Sequence, residues 1–218
     1  MGISKKVILS IMILSIALGV NKGWSVEFKV DKAHSQVGFS VKHIVGDVHG
    51  QFKDFESTFT FDSKHPKKSA GTFVIQAASV DTNNDKRDGH LKTADFFDVA
   101  NHPTITIDNA TLAPAGKKNK YKLTGDLSMR GISKKVVFDV VYIGSGKNPW
   151  SGGSVLGFTA KTKIHRKDWG IVWNKSLDNG GWLVGEDVTI ELQIEANEVK
   201  EEPKAEEKKE AKPEEKKP

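Results

Sequence analysis

Cysteine is absent from this chain of 218 residues. That excludes a disulfide scaffold, cysteine-ligated zinc and thiol catalysis, and it suits an oxidising compartment. Long apolar runs are scarce too. The one present, Val7–Val20, covers 14 residues and is interrupted by Ser10 and Ser15, short of the roughly 20 a membrane-spanning helix needs. Lys5 and Lys6 precede it and Gly23-Trp24-Ser25 follows as a small-x-small cleavage site, so residues 1–25 read as a cleaved secretory signal. No cysteine follows that core, which excludes a lipid-modified N-terminus.

Large apolar residues are nearly missing from 198–218, where Val199 stands among seven lysines, eight glutamates and three prolines. Such a segment cannot bury enough surface to offset chain entropy and is expected to be a disordered, mixed-charge tether. Charge of one sign is lacking as well. The intervening domain, residues 26–197, carries a net +3, so the pI near 9.2 does not indicate a nucleic-acid binder.

Catalytic motifs are also wanting. No G-x-S-x-G occurs, and His34 and Ser35, being adjacent, would face opposite sides of a strand. The seven histidines show no H-x-H or H-x-x-x-H spacing. Gly144-x-Gly146 opens no helix, so it lacks the setting of a phosphate loop. No enzyme activity, metal or cofactor is expected.

What the sequence does have is alternation with period two. It runs through Val26–Val30, Val37–His43, Phe55–Phe61, Gly71–Ala77, Thr104–Thr111, Tyr121–Met129, Val136–Tyr142, Leu156–Ile164 and Val188–Ala196. About nine strands follow, each with one apolar face. Turns fall at Gly46-Asp47, Asp62-Ser63, Ala115–Lys117, Arg130-Gly131, Gly144–Gly153 and Asn179–Gly181. Thr82–Ala100 lacks alternation, and Asn83 or Asn84 is placed to cap a short helix through His90 and Leu91. Many antiparallel strands with a phenylalanine-and-glycine inner face make either a sandwich or a barrel, and periodicity alone leaves both open. Arg87 and Arg130 could meet a ligand headgroup, though Arg87 could equally pair with Asp85, Asp88 or Asp95.

Read in order, several segments resemble the YceI-like family of secreted lipid-binding proteins. They are Asp31-Lys32-Ala33-His34-Ser35 with Val37–His43, Gly50-Gln51-Phe52, Arg87–Leu91, Asp95–Asp98 with His102-Pro103, Gly125–Gly131, Arg166-Lys167-Asp168-Trp169-Gly170, Gly185–Val188 and Ile194–Ala196. One departure is Lys32, where the family usually has proline. The resemblance implies an all-β fold, an extended eight-stranded antiparallel lipocalin-like barrel with a short helix near the middle, export to the periplasm, and a polyisoprenoid (quinone-like) or fatty amphiphile held inside. It leaves transient contact with a membrane and a homodimer as further expectations.

The ligand-facing residues are then expected to be Phe39, Val41, Phe52, Phe59, Phe73, Ile75 and Leu91, with Phe96, Phe97, Leu127, Met129, Phe158 and Trp169. His43, Arg87 and His90 would meet the headgroup at the rim, and glycines on the inner face would leave room for the passing tail. The competing reading is a packed β-domain that acts as an interaction module tethered by its charged tail.

Overall fold

The computed structural model describes residues 26–178 and 180–200. Residues 1–25, expected to be a signal, and the part of the expected tail beyond Lys200 lie outside the described residues. The alternating runs become β1 (Glu27–Val30), β2 (Gln36–His43), β4 (Phe55–Thr60), β5 (Ala70–Gln76), β7 (Thr104–Pro114), β8 (Lys120–Met129), β9 (Ile132–Lys147), β10 (Ser154–His165) and β11 (Val184–Glu198). Two further strands, β3 (Gly46–Phe52) and β6 (Val80–Asp81), complete the set with one helix, α1 (Asp85–Leu91). Asn84 caps that helix by accepting a hydrogen bond from the Arg87 amide at 3.0 Å.

The strands pair antiparallel in the ring β1–β4–β5–β7–β8–β9–β10–β11, and β11 returns to β1. This is an eight-stranded barrel, so the sandwich is excluded: a sandwich would leave β1 and β11 as separate edges. β2 extends the sheet from β11, with β3 and β6 beyond it.

Closure depends on how one edge of β11 is shared. Its C-terminal end pairs with β1, from Val30↔Ala196 to Phe28↔Glu198. Its middle pairs with β2, from Gln36↔Gln193 to Val41↔Val188. Between them the chain makes a 3-10 turn, Lys32–His34, and backbone pairing would lapse there. Ser35 bridges the gap. Its hydroxyl donates to the Glu195 carbonyl at 3.1 Å and accepts from the Glu195 amide at 2.9 Å. The Asp31 amide donates to the same carbonyl at 2.9 Å. Asp31 also caps the turn by accepting from the Ala33 amide, and Asn197 donates to its other oxygen. Lys32 occupies the first position of this turn, where proline is well tolerated, and its amine meets Asp54 at 2.6 Å.

Two boundaries differ from the sequence reading. The β2–β3 turn is Ile44-Val45, with Gly46 and Asp47 already in β3 opposite His43 and Lys42. Ile44 takes φ 51°, which β-branched residues seldom adopt, so glycine was the more obvious turn residue. Glu198, assigned by composition to the tail, ends β11, and the Val199 amide donates to the Glu27 carbonyl.

His34 Nδ1 lies 2.9 Å from Asp31 Oδ2. That hydrogen bond is the main influence holding Asp31 below its ordinary 3.8, and Asp31 in turn raises His34 above its ordinary 6.5. The raised histidine stabilises the fold fully below 6.5, and this is lost as pH climbs through its folded value. The lowered carboxyl stabilises fully above 3.8, and this is lost as pH falls through its folded value. The melting-temperature difference between wild type and His34→Gln should therefore peak near about pH 5 and shrink on either side. A pH series of thermal melts checks this, and a difference that grows toward alkaline pH would contradict it.

Candidate functional site

Inward side chains leave two apolar chambers along the barrel axis. The upper chamber, about 150 Å³, is walled by residues that include Phe59, Phe61, Phe73, Leu112, Phe158 and Ile194. The lower, about 120 Å³, is walled by residues that include Phe39, Phe52, Ile75, Phe97, Leu127 and Ile190. Ile107, Phe138 and Leu192 belong to both walls and form the waist between them. Phe138 is the most enclosed large side chain of the core, 1% exposed.

Aromatic clusters stand at both ends. Above, the Phe61 ring packs on Phe158 at 5.0 Å, on Tyr142 at 5.1 Å and on Tyr121 at 6.2 Å. Below, Phe52 packs on Phe39 and on Phe97, while His90, Phe96 and Trp173 contact one another. The segment after α1 covers this lower end. Arg130, in the β8–β9 turn with φ 52°, holds that cover by donating to the carbonyls of Ala94 and Phe96.

The wall also has a seam. β5 and β7 pair only from Phe73↔Ile107 to Gln76↔Thr104. Beyond that, β7 follows β8 through a bulge between Asp108 and Thr111. Ala70, Gly71 and Thr72 on one side and Ala110 and Thr111 on the other line the upper chamber there.

Most of the expected ligand-facing set lies on these walls. Phe59, Phe73 and Phe158 line the upper chamber. Phe39, Val41, Phe52, Ile75, Leu91, Phe96, Phe97, Leu127 and Met129 line the lower. Four residues do not. His43 continues the inward phase of β2, but it pairs with Val184 at the rim, past the register break in β11. Arg87 clamps α1 to the residue after β6: its Nε donates to the Thr82 hydroxyl at 2.7 Å and Nη2 to the Thr82 carbonyl at 2.8 Å. Thr82 passes the contact on to Asp88 at 2.5 Å. His90 Nε2 lies 2.8 Å from Asp95 Oδ2, and the ring is packed among the lower aromatics. Trp169 is 2% exposed behind the wall, its indole N–H donating to the Leu127 carbonyl at 3.1 Å.

The sequence reading missed Arg166, whose place on the wall was legible. The inward phase of β10 runs Leu156, Phe158, Ala160, Thr162, Ile164, and the next even position is Arg166. It is 3% exposed and lines the lower chamber. Nε donates to the Gly185 carbonyl at 2.8 Å, and Nη1 to the carbonyls of Ile171 at 2.7 Å and Trp173 at 2.9 Å. Burial lowers its pKa, and Glu186 partly offsets that, yet a guanidinium stays charged in proteins.

The glycines were expected to make room for a ligand tail. At Gly50 the room is taken by a ring, and at Gly71 by the neighbouring strand. A Cβ at Gly71 would lie 2.3 Å from the Phe59 Cβ, and one at Gly50 would lie 2.3 Å from the Phe39 ring. Gly50 leaves space for the Phe39 ring, and Gly71 lets the backbone and Cβ of Phe59 approach closely.

A closed antiparallel barrel around an apolar lumen defines a lipocalin-like binding barrel. The YceI-like domain family model matches residues 28–196, and the chain belongs to that family. Protein YceI of Escherichia coli O6:H1 is 36% identical over 170 residues, covering 77% of this chain and 87% of the relative. The crystal structure of Burkholderia cenocepacia BcnA superposes with a TM-score of 0.67 at 25% identity, over 76% of this chain and 98% of that one. A polyisoprenoid binding domain from Saccharophagus degradans, implicated in plant cell wall breakdown, shares the fold with a TM-score of 0.57 at 12% identity, over 80% and 99%.

Gly71→Ala should destabilise the barrel by about 1–3 kcal/mol, because the new methyl meets backbone and Cβ of the neighbouring strand. Gly146→Ala, with nothing within 4 Å of the added atom, is the control. Chemical denaturation of both variants checks this, and equal midpoints would contradict it.

Proposed function

We propose that this protein is a secreted, periplasmic carrier that holds a polyisoprenoid, quinone-like or other long amphiphilic lipid in its lumen. The observation that carries the reading is the pair of apolar chambers meeting end to end, the upper inside the closed ring and the lower between the ring's lower strands and β2 and β3. Family membership and the fold shared with a polyisoprenoid binding domain support it. The role is binding rather than catalysis.

Physical chemistry favours reversible carriage. Burying an alkyl chain from water gains about 0.8 kcal/mol per CH₂. A lipid tail, however, leaves a membrane and not water, so its transfer into an apolar barrel is close to neutral. That neutrality lets the carrier both load and unload. An apolar cavity of about 150 Å³ takes a group the size of benzene, so each chamber as it stands receives a short stretch of tail. A longer tail must turn Phe138 and its neighbours at the waist aside. Ile44, Val45, Val172 and Trp182 are exposed apolar side chains near the end of the barrel that carries Arg166, and we read them as the contact through which the rim touches a membrane.

The small chambers also favour a second reading, a packed domain that only contacts partners. Phe39→Glu separates the two. Phe39 is half-buried and lines the lower chamber, so a carrier should stay folded and lose its lipid, whereas a packed module should unfold. The decisive experiment is native mass spectrometry of the mature protein from its own periplasm, with organic extraction. A stoichiometric lipid with isoprene or alkyl mass spacing is expected. A protein that arrives empty and takes up neither prenyl quinones nor fatty amphiphiles would overturn the proposal.

A further inference from the structure

Among the described residues, Arg166 is the only charged side chain on either chamber wall. Its Nη2 is buried and has no hydrogen-bond partner. Leaving a buried donor unpaired is costly, and more so for a charged group. The charge also lacks an ion-pair partner, since no carboxylate forms a salt bridge with Arg166 among the described residues. Glu186, the acid that acts on it electrostatically, pairs instead with Lys167 and His165. Three carbonyls hold Nε and Nη1 in place. Those bonds occupy Nε and Nη1, leaving Nη2 as the one nitrogen of the guanidinium without a partner.

We propose that Arg166 Nη2 is the headgroup anchor of the lumen, and that it takes the carboxylate of a long-chain fatty acid whose tail runs past Ile107, Phe138 and Leu192 into the upper chamber. The inference rests on the lipid-carrier reading and deepens it by naming the head. Two features select a carboxylate, and a third suits its alkyl chain. A neutral carbonyl would satisfy the donor but leave a net charge in an apolar chamber, whereas a charged oxygen satisfies both. A phosphate or diphosphate has many acceptor sites and would find one nitrogen. Finally, the side chains around the anchor, Ile164, Ile171, Val184 and Val188, are apolar and suit the first carbons of an alkyl chain.

The test compares heads on one tail. Mature protein freed of lipid by organic extraction is titrated calorimetrically at about pH 8, where a carboxylic acid is ionised. The probes are palmitate, methyl palmitate and a short-chain prenyl quinone, each below its aggregation limit. Wild type should bind palmitate at least about tenfold tighter than the ester, a difference of about 1.4 kcal/mol. Arg166→Gln should bring that ratio close to one, mainly by weakening palmitate.

Arg166 also ties down residues 171, 173 and 185, so a variant too unstable to titrate is one anticipated outcome. In that event the side-chain ¹⁵N resonances of Arg166 in wild type supply the readout: they should shift with palmitate and not with the ester. Equal binding of acid and ester by wild type would overturn the anchor while leaving the carrier intact. A quinone that binds as tightly as palmitate and shifts the same resonances would overturn the need for a charged oxygen. Failure of all three probes to bind would overturn the anchor and the carrier together.

Discussion

The ring depends on one shared edge. β11 must be covered along its full length, and two different strands cover it. Where β1 gives way to β2 a peptide turn intervenes, and the Ser35 hydroxyl stands in for the missing ladder by bonding both the amide and the carbonyl of Glu195. A buried strand edge with unpaired backbone groups would invite slippage or opening. Closure in turn fixes the tilt and stagger of the other strands. It thereby fixes which side chains face the lumen and where the waist falls. The lumen is thus a consequence of a junction on the barrel's outer edge.

The same closure explains why parts of the fold were legible in sequence and parts were not. The strands with branched or aromatic residues on one face, such as Leu123–Met129 or Val136–Tyr142, announce themselves by alternation. β3 does not, because its inward positions include Gly46 and Gly50, and β6 is only two residues long. Alternation says which residues share a face and nothing about which strand is the neighbour. The pairing Phe28↔Glu198 joins opposite ends of the domain, and no local pattern encodes it; the barrel came from family resemblance instead.

The site divides along similar lines. Apolar lining residues were legible because inward phase and lumen wall are nearly the same thing in a small barrel. The polar residues were harder. Arg87 and His90 were singled out for motif position, yet each is consumed by a neighbour close in sequence, Thr82 and Asp95. Arg166 was passed over because it sits one residue beyond the end of β10, where the counting of alternation stopped. Its partners, Gly185, Ile171 and Trp173, lie on segments whose approach only the tertiary structure reveals.

A charged group at the foot of an otherwise apolar lumen changes what the barrel can discriminate. Apolar walls recognise length and width poorly, because each added methylene contributes a similar increment wherever it lies. An oriented donor discriminates more sharply, since a ligand without a matching acceptor leaves the donor unpaired in low dielectric. The three carbonyls that fix Arg166 pre-organise that donor, so little rotamer entropy remains to be lost on binding. In this arrangement the walls supply capacity and the waist limits girth. On the proposed reading, selection among amphiphiles of similar tail falls to a single nitrogen.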